Sequence, residues 1–535
     1  MPMSVRDDAT DSSATPGVGT SSSQALAWSI LAIAGCVLVG VAISLTRSRV
    51  GTHDIWSDDA WVALSQRASL SRAIHMGASA PGFTILIRWW MGLAPDSIGW
   101  AQTFALVPLL FAPFIIFAAT RIAGASRAAA TVVACLCALS PMLIHESARL
   151  KQYTWEYALA ALLVAIAAGV RRDGPTLRWT IFAACTVVVA VPFSFALLIP
   201  TALVFLVFAV AMLHEARTPE GRFDIRPIAV QGAVLACAGA VVVAWKQALL
   251  LDPPQALLDH WQNEFLGARG SSGQTARQAV LMVRGFWGAF VYRGTTILLV
   301  IPVAGLVWYA WRRWRTASWL LLAPVLAVVL SAMQRYPLGS IVKDRVDSWL
   351  IPWVAVLVAL TLTDIENLGA VQRFVRKVPR GLAITTVGVV AVLLVVGLFR
   401  SANGYVPTRA SPAVAALARA ADRGDVTYVA ANDWPVDLLL PGPITIVTDN
   451  DSETNFSVVL DQPYRTLHDD ATRAASELRS ACGRTATIVG VALESLRPVL
   501  RKVGCPFTIQ HSTRNGTDQP HDDVVTVSMR TSDVS

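Results

Sequence analysis

What most limits the folds open to this chain is a series of apolar stretches, at 25–45, 100–119, 127–144, 154–170, 178–191, 195–214, 227–247, 295–311, 318–333, 349–363 and 382–399. The hydrocarbon core of a bilayer takes roughly 20 helical residues to cross and tolerates no unsatisfied backbone group. About eleven spans approach that demand, so the expected fold class is an all-α polytopic membrane protein. As a single helix the run 178–214 would overshoot the bilayer; Pro192 and Pro200 divide it into two. Composition agrees: 54% of residues are hydrophobic and 15% charged, where a soluble chain carries about 25% charged residues.

The net charge of +8 would suit a nucleic-acid partner, but Lys and Arg fall mostly in short loops between apolar runs. That placement is a topology signal, and it sets nucleic acid aside. Arg121 and Arg127; Arg171, Arg172 and Arg178; Arg217, Arg222 and Arg226; Arg312, Arg313 and Arg315; and Arg373, Arg376, Lys377 and Arg380 mark five cytoplasmic loops. Left for the outer face are 46–99, 145–153, 248–294, 334–348 and everything after Arg400. Residues 1–24, rich in Ser, Thr, Asp and Gly and without a basic n-region, read as a disordered cytoplasmic tail; 25–45 lacks a cleavage pattern and reads as a retained helix. Ala-, Val- and Arg-rich usage with few Lys points to a high-GC bacterium, and hence to a multi-pass protein of the bacterial plasma membrane.

The expected division is therefore a membrane domain at 25–399, with an outer loop at 46–99, followed by a separate unit at 400–535. In the latter, strand-like runs (Val426 to Ala430, Ile444 to Val447, Ala486 to Val491, Val524 to Met529) alternate with helix-like ones (Pro412 to Ala421, Ala471 to Arg479). That pattern predicts a small extracytoplasmic α/β domain. Its two cysteines, Cys482 and Cys505, are the pair expected to form a disulfide outside the cell.

Three polar clusters fall on the predicted outer face. The first is Asp58 and Asp59 in Trp56-Ser57-Asp58-Asp59-Ala60-Trp61; the second is His145 through Tyr153; the third runs from Gln334 to Arg345. A sugar transfer outside a membrane needs a carboxylate to deprotonate an acceptor hydroxyl and cations to hold a departing lipid phosphate. Asp58 and Asp59 are the base candidates, and Arg149, Lys151, Arg335, Lys343 and Arg345 the phosphate-binding candidates. Plainer roles compete. The acidic pair could cap a helix, Arg149 and Lys151 could snorkel to the interface, and Lys343, Asp344 and Arg345 could be a surface ion-pair group. His53, His75 and His145 lack partners at metal-ligand spacing, so no metal site is assigned. Trp56, Trp61, Trp89, Trp90, Trp100 and Trp261 suit an interfacial belt, although some could line a sugar or prenyl groove.

Residues from about 25 to 365 resemble the GT-C membrane glycosyltransferases, especially the family 39 and lipid A aminoarabinose transferase-like group. The family's Asp-Glu pair after an aromatic resembles Trp56-Ser57-Asp58-Asp59, and its Pro-rich apolar stretch resembles Ala80-Pro81-Gly82-Phe83. Its Ser-Pro and Glu-x-Lys-Gln-Tyr segments are similar to Ser140-Pro141 and Arg149-Leu150-Lys151-Gln152-Tyr153; its Tyr-Pro-x-Gly, Arg and apolar-Pro segment is similar to Tyr336-Pro337-Leu338-Gly339, Arg345 and Ile351-Pro352. The resemblance implies an inverting transferase using a polyprenyl-phosphate sugar donor and a glycan, lipid or protein acceptor of the cell envelope. It puts Asp58 at the catalytic base with Asp59 as acidic neighbour. Tyr153, Tyr336, Trp56 and Trp261 become substrate-groove candidates, and a divalent cation, Mg or Mn, stays open as a cofactor. Two departures bear on specificity: Asp59 replaces a Glu, and Arg149 stands where many members carry an acid. The rival functions are a lipid-linked saccharide flippase or transporter, which predicts ionisable residues inside the spans, and a non-catalytic envelope scaffold.

Overall fold

The computed structural model describes residues 22–47, 55, 57–75, 79–94, 98–217, 226–248, 265, 275, 300–336, 348–379, 385, 388, 392, 396, 410–431, 433–440, 444–448, 456–460, 463–468, 470–513 and 523–531. Among them, seven helices are long and apolar enough to cross a membrane: Ser23–Thr46, Ile98–Ile122, Arg127–Glu146, Tyr153–Asp173, Phe195–Glu215, Trp314–Ala332 and Ser348–Glu366. Leu177–Phe193 and Ala229–Trp245 are apolar but shorter. The chain is a multi-pass membrane protein. The expected span at 295–311 appears as a helix over Val300–Arg312, and that at 382–399 lies almost wholly outside the described residues.

In chain order the membrane region runs α1 (Ser22–Arg47), α2 (Ser57–Ser65), α3 (Leu70–His75), α4 (Pro81–Gly92), α5 (Ile98–Ile122), α6 (Arg127–Ala138), α7 (Pro141–Glu146), α8 (Tyr153–Asp173), α9 (Leu177–Phe193), α10 (Leu198–Glu215), α11 (Ala229–Ala248), α12 (Val300–Arg312), α13 (Trp314–Ala332), α14 (Ile351–Glu366) and α15 (Gly369–Lys377). Helix α8 is the axis: 83% of its apolar window is buried, against 28% for α1, whose apolar surface is left for lipid.

Proline placement explains how α8 is seated. Pro108, inside α5, has no N–H for the Phe104 carbonyl and crowds the ladder around it. Two donors from the first turn of α8 answer there: Trp155 Nε1 donates to the Phe104 carbonyl (3.1 Å) and Thr154 Oγ1 to that of Ala105 (2.7 Å). Pro192 falls in the last turn of α9, and the helix ends at Ser194, which is extended (φ −159°, ψ 131°) before the chain re-enters α10. The predicted division of 178–214 is thus the observed one. Gly82 is required at that corner, because a Cβ on it would lie 2.9 Å from the Pro192 carbonyl carbon. The expected span 127–144 falls within the apolar stretch Arg127–Glu146, which carries a break the sequence reading did not foresee: α6 stops at Ala138, Ser140 Oγ accepts from the Leu143 N–H (3.4 Å), and Pro141 opens α7.

The basic turns gather at one end of the bundle. There Ser126 Oγ donates to Glu366 (2.5 Å), Arg313 Nε donates to Asp364 (3.1 Å), and the Arg171 guanidinium lies 6.0 Å from the Trp319 ring centre. The opposite end holds α7, the start of α8, the α9–α10 break, the end of α13 and the start of α14.

The C-terminal unit contains β1 (Val426–Ala430), β2 (Ile444–Thr448), β3 (Phe456–Leu460), β4 (Tyr464–Leu467), β5 (Thr485–Val489), β6 (Phe507–Thr513) and β7 (Val524–Met529), with α16 (Ala410–Asp422), α17 (Trp434–Leu439), α18 (Ala471–Arg479) and α19 (Leu493–Val503). Five strands form one sheet in the order β4-β1-β5-β7-β6, parallel across β4, β1 and β5 and antiparallel across β7 and β6; β2 and β3 form a separate ribbon. Sequence patterning anticipates β1, β2, β5, β7, α16 and α18 and misses the rest. One apolar cluster pairs Leu478, Leu496 and Leu500 with Ile488 and Val527. Leu417, Val429, Val436 and Leu438 instead join the bundle's own core, which includes Val62 and Leu64 of α2. Arg67 Nη2 also donates to the Leu438 carbonyl (3.4 Å). Cys482 and Cys505 are disulfide-bonded.

Candidate active site

Asp58 and Asp59 lie in the first turn of α2. That is where a helix dipole favours negative charge, as the capping alternative expects. The tertiary partner is the new information. Arg149, 90 residues further on in the turn between α7 and α8, is 3% exposed and donates from Nε to both oxygens of Asp59 (3.0 and 2.9 Å). Its Nη2 stands 3.7 Å from Asp58 Oδ2. The two acids differ sharply in access: the Asp59 side chain is 2% exposed and that of Asp58 41%. Asp59 therefore clamps the cation, while Asp58 stands half-open beside it. Arg149 does not snorkel; it is buried.

The turn that delivers Arg149 is fixed on both sides. Ser147 and Ser44 of α1, both fully buried, share a hydrogen bond of 2.8 Å, and the Arg149 N–H donates to the Glu146 carbonyl (3.1 Å). Glu146 is 5% exposed and lies 3.8 Å from His145 Nε2. Lys151 and Tyr153 are half-buried at the head of α8. In the third cluster Arg335 is exposed and Tyr336 half-buried. Gln334, with φ +56°, bends the chain at the end of α13, so that the Arg335 and Tyr336 N–H groups both reach the Leu330 carbonyl (2.9 and 3.3 Å). Tyr336 OH accepts from Trp349 Nε1 (2.8 Å). Trp56, Trp261, Lys343 and Arg345 lie outside the described residues.

One acid escaped the sequence reading. Glu156, in the first turn of α8 and 1% exposed, accepts from Ser194 Oγ (2.5 Å), from Ser348 Oγ and from the Trp349 N–H. An ionisable residue three places into an apolar span was the available signal. The tryptophans divide by role: Trp89 is 61% exposed, as a belt residue would be, whereas Trp90 and Trp100 stack at 4.6 Å and exchange indole-to-carbonyl hydrogen bonds of 3.0 and 2.7 Å, pinning α4 to α5. Among the described residues no group of three or more His, Cys, Asp or Glu stands together to hold a metal ion.

No family model and no curated protein matches the chain. Solved structures do. The chain is similar to ArnT from Cupriavidus metallidurans bound to undecaprenyl phosphate, with 13% identity, a TM-score of 0.54 and coverage of 94% of this chain and 98% of that one. It is also similar to the archaeal oligosaccharyltransferase AglB from Archaeoglobus fulgidus in complex with an inhibitory peptide and a dolichol-phosphate, with 12% identity, a TM-score of 0.47 and coverage of 93% and 75%. The A. fulgidus oligosaccharyltransferase complex with Zn and sulfate gives 14% identity, a TM-score of 0.43 and coverage of 76% of this chain; the chain spans 61% of that structure's length. Over 94% of its length, this chain shares its fold with the C. metallidurans ArnT structure.

Proposed function

We propose that this protein transfers a sugar from a polyprenyl-phosphate donor to an acceptor of the cell envelope, on the outer face of a bacterial plasma membrane. The observation that carries the proposal is the asymmetric acid pair: a buried carboxylate spent on Arg149, and a half-open one 3.7 Å from the same guanidinium. Asp58 takes the proton of the acceptor hydroxyl. The oxygen then attacks the anomeric carbon as its bond to the lipid phosphate breaks, inverting the configuration, and the phosphate leaves with the bonding pair. Arg149 and Lys151 face that growing charge, with Arg345, Lys343 and Arg335 as further phosphate partners; in a partly dehydrated site, fixed cations act far more strongly than in water. Tyr153 and Tyr336 are the groove residues of this reading, and Trp56 and Trp261 remain its candidates from the sequence. The undecaprenyl phosphate in the C. metallidurans structure is what such a reaction would release. The disulfide between Cys482 and Cys505 favours an oxidising compartment for the α/β unit, whose contact with α2 puts it on the side of Asp58.

A transporter for lipid-linked saccharides gains one observation, the buried Glu156, since such a protein would carry acids inside its spans. Two serines and a backbone N–H converge on that carboxylate, however, which suits a fixed bridge better than a path. The deciding experiment incubates purified protein in lipid with a panel of radiolabelled polyprenyl-phosphate sugars and envelope extract. Wild type should transfer label, and folded Asp58→Ala should lose about 10²–10⁴-fold of the rate. Transfer surviving in both Asp58→Ala and Asp59→Ala would reject the carboxylate mechanism.

A further inference from the structure

A carboxylate in an apolar bundle costs more to bury than a hydrocarbon side chain of the same volume, so a fully enclosed one asks for a reason. Glu156 supplies something hydrocarbon cannot: an acceptor-only group with room for several donors. Its three donors come from two places far apart in sequence, Ser194 at the α9–α10 break and the Ser348–Trp349 pair that opens α14. Ser194 is 3% exposed, and Ser348 and Trp349 are fully buried. The contact continues outward, because Trp349 turns its Nε1 to Tyr336 OH (2.8 Å) with the two rings edge to face at 6.1 Å. Glu156 lies one helical turn beyond Gln152, whose carbonyl accepts from the Glu156 N–H (2.8 Å), so it follows closely on Lys151 and Tyr153, and the hydrogen bonds of Thr154 and Trp155 to α5 leave that helix start little freedom. One carboxylate thus joins the second polar cluster to the third.

We propose that Glu156 is a positioning residue for the donor-phosphate subsite, holding Tyr336 in register with Lys151 and Tyr153; this rests on the glycosyl-transfer reading. It does not touch the acid pair of α2, so its loss should loosen the grip on the donor and spare the base. Misplacement of a contact by about an ångström is enough to cost about a hundredfold.

The test uses the full chain in lipid nanodiscs. Glu156→Ala should raise the donor KM about tenfold to a hundredfold with a much smaller change in kcat, and should weaken binding of undecaprenyl phosphate to match. Glu156→Gln, which keeps one acceptor oxygen and the volume, should fall between Glu156→Ala and wild type. Trp349→Phe, which removes the indole donor to Tyr336 together with part of the ring volume but keeps the backbone N–H to Glu156, should raise the same KM by less. Hydrogen exchange gives a readout independent of activity: Glu156→Ala should speed exchange over 330–336 and 348–353 together. The proposal is overturned if these variants lower only thermal stability, if they lower kcat alone, or if exchange over both segments is unchanged. Should wild type neither transfer sugar nor bind undecaprenyl phosphate, the glycosyl-transfer reading falls, and the exchange pattern alone decides whether Glu156 joins the clusters.

Discussion

The helical bundle buries Asp59 against a guanidinium, whereas the α/β unit buries Asp437 of α17 beside a second carboxylate, Asp433. Both solutions avoid a bare charge in a dry interior, but by opposite means. In the bundle an opposite charge compensates the carboxylate; in the α/β unit burial, and then the nearby Asp433, push the Asp437 carboxyl well above its ordinary range, which favours its protonated form. The first arrangement keeps a fixed charge pair at the α2–α8 junction, which suits a site that must face a phosphate. The second puts a carboxyl that resists ionisation on α17, the helix that packs on α2.

Removing the cation is the strongest way to break this comparison. Arg149→Met strands Asp59 at 2% exposure, and breaking a buried pair from one side costs about 3–5 kcal/mol. Thermal unfolding in detergent should show the loss, and Asp59→Leu added to Arg149→Met should recover most of it while transfer stays abolished. A double variant no more stable than Arg149→Met would mean that Arg149 matters for stability through other contacts.

Next in size is the pH response of Asp437. A carboxyl whose folded pKa lies above its unfolded value stabilises fully at low pH, and that stability is lost as pH rises through the folded pKa. The α/β unit should therefore soften from the ordinary carboxylate range upward. Melting curves of the full chain from mildly acid to mildly alkaline buffer should show the slope in wild type and its flattening in Asp437→Asn. An unchanged slope in the variant would place the titration elsewhere.

How much of this was legible beforehand depends on range. The apolar windows and the Pro192 break are local properties, and the helices at Leu177–Phe193 and Leu198–Glu215 follow them closely. Strands β1, β5 and β7 are runs dense in Val, Ile, Ala and Thr and stood out; β4, Tyr464–Leu467, is four residues long with two polar ones and did not. The acid pair and Arg149 could each be named as candidates, but their pairing spans 90 residues, and only the fold shows that Asp59, not Asp58, takes the guanidinium. Glu156 was harder, since an acid in the first turn of a span looks like a membrane-edge residue. Its partners lie 38 and 192 residues away, and neither serine has a pattern of its own. Counting loops put the third cluster on one face with the other two; Tyr336 stands at the same end of the bundle as the start of α8, while Lys343 and Arg345 lie outside the described residues.

The smallest expected effect comes from the other end of the bundle and sharpens the contrast with Arg149. Arg313 donates from Nε to Asp364 at 3.1 Å, a distance close to that of the Arg149–Asp59 pair, yet its side chain is 53% exposed. Geometry alone would rank the two pairs together; burial separates them. Water already solvates Arg313, and the pair holds a long side chain in one conformation for little electrostatic return. Arg313→Ala should leave the melting temperature and sugar transfer unchanged within error, and added salt should not alter that result. If Arg313→Ala instead destabilised the protein as much as Arg149→Met, distance and not desolvation would be setting the worth of these pairs, and the contrast drawn between buried and exposed charges would fail.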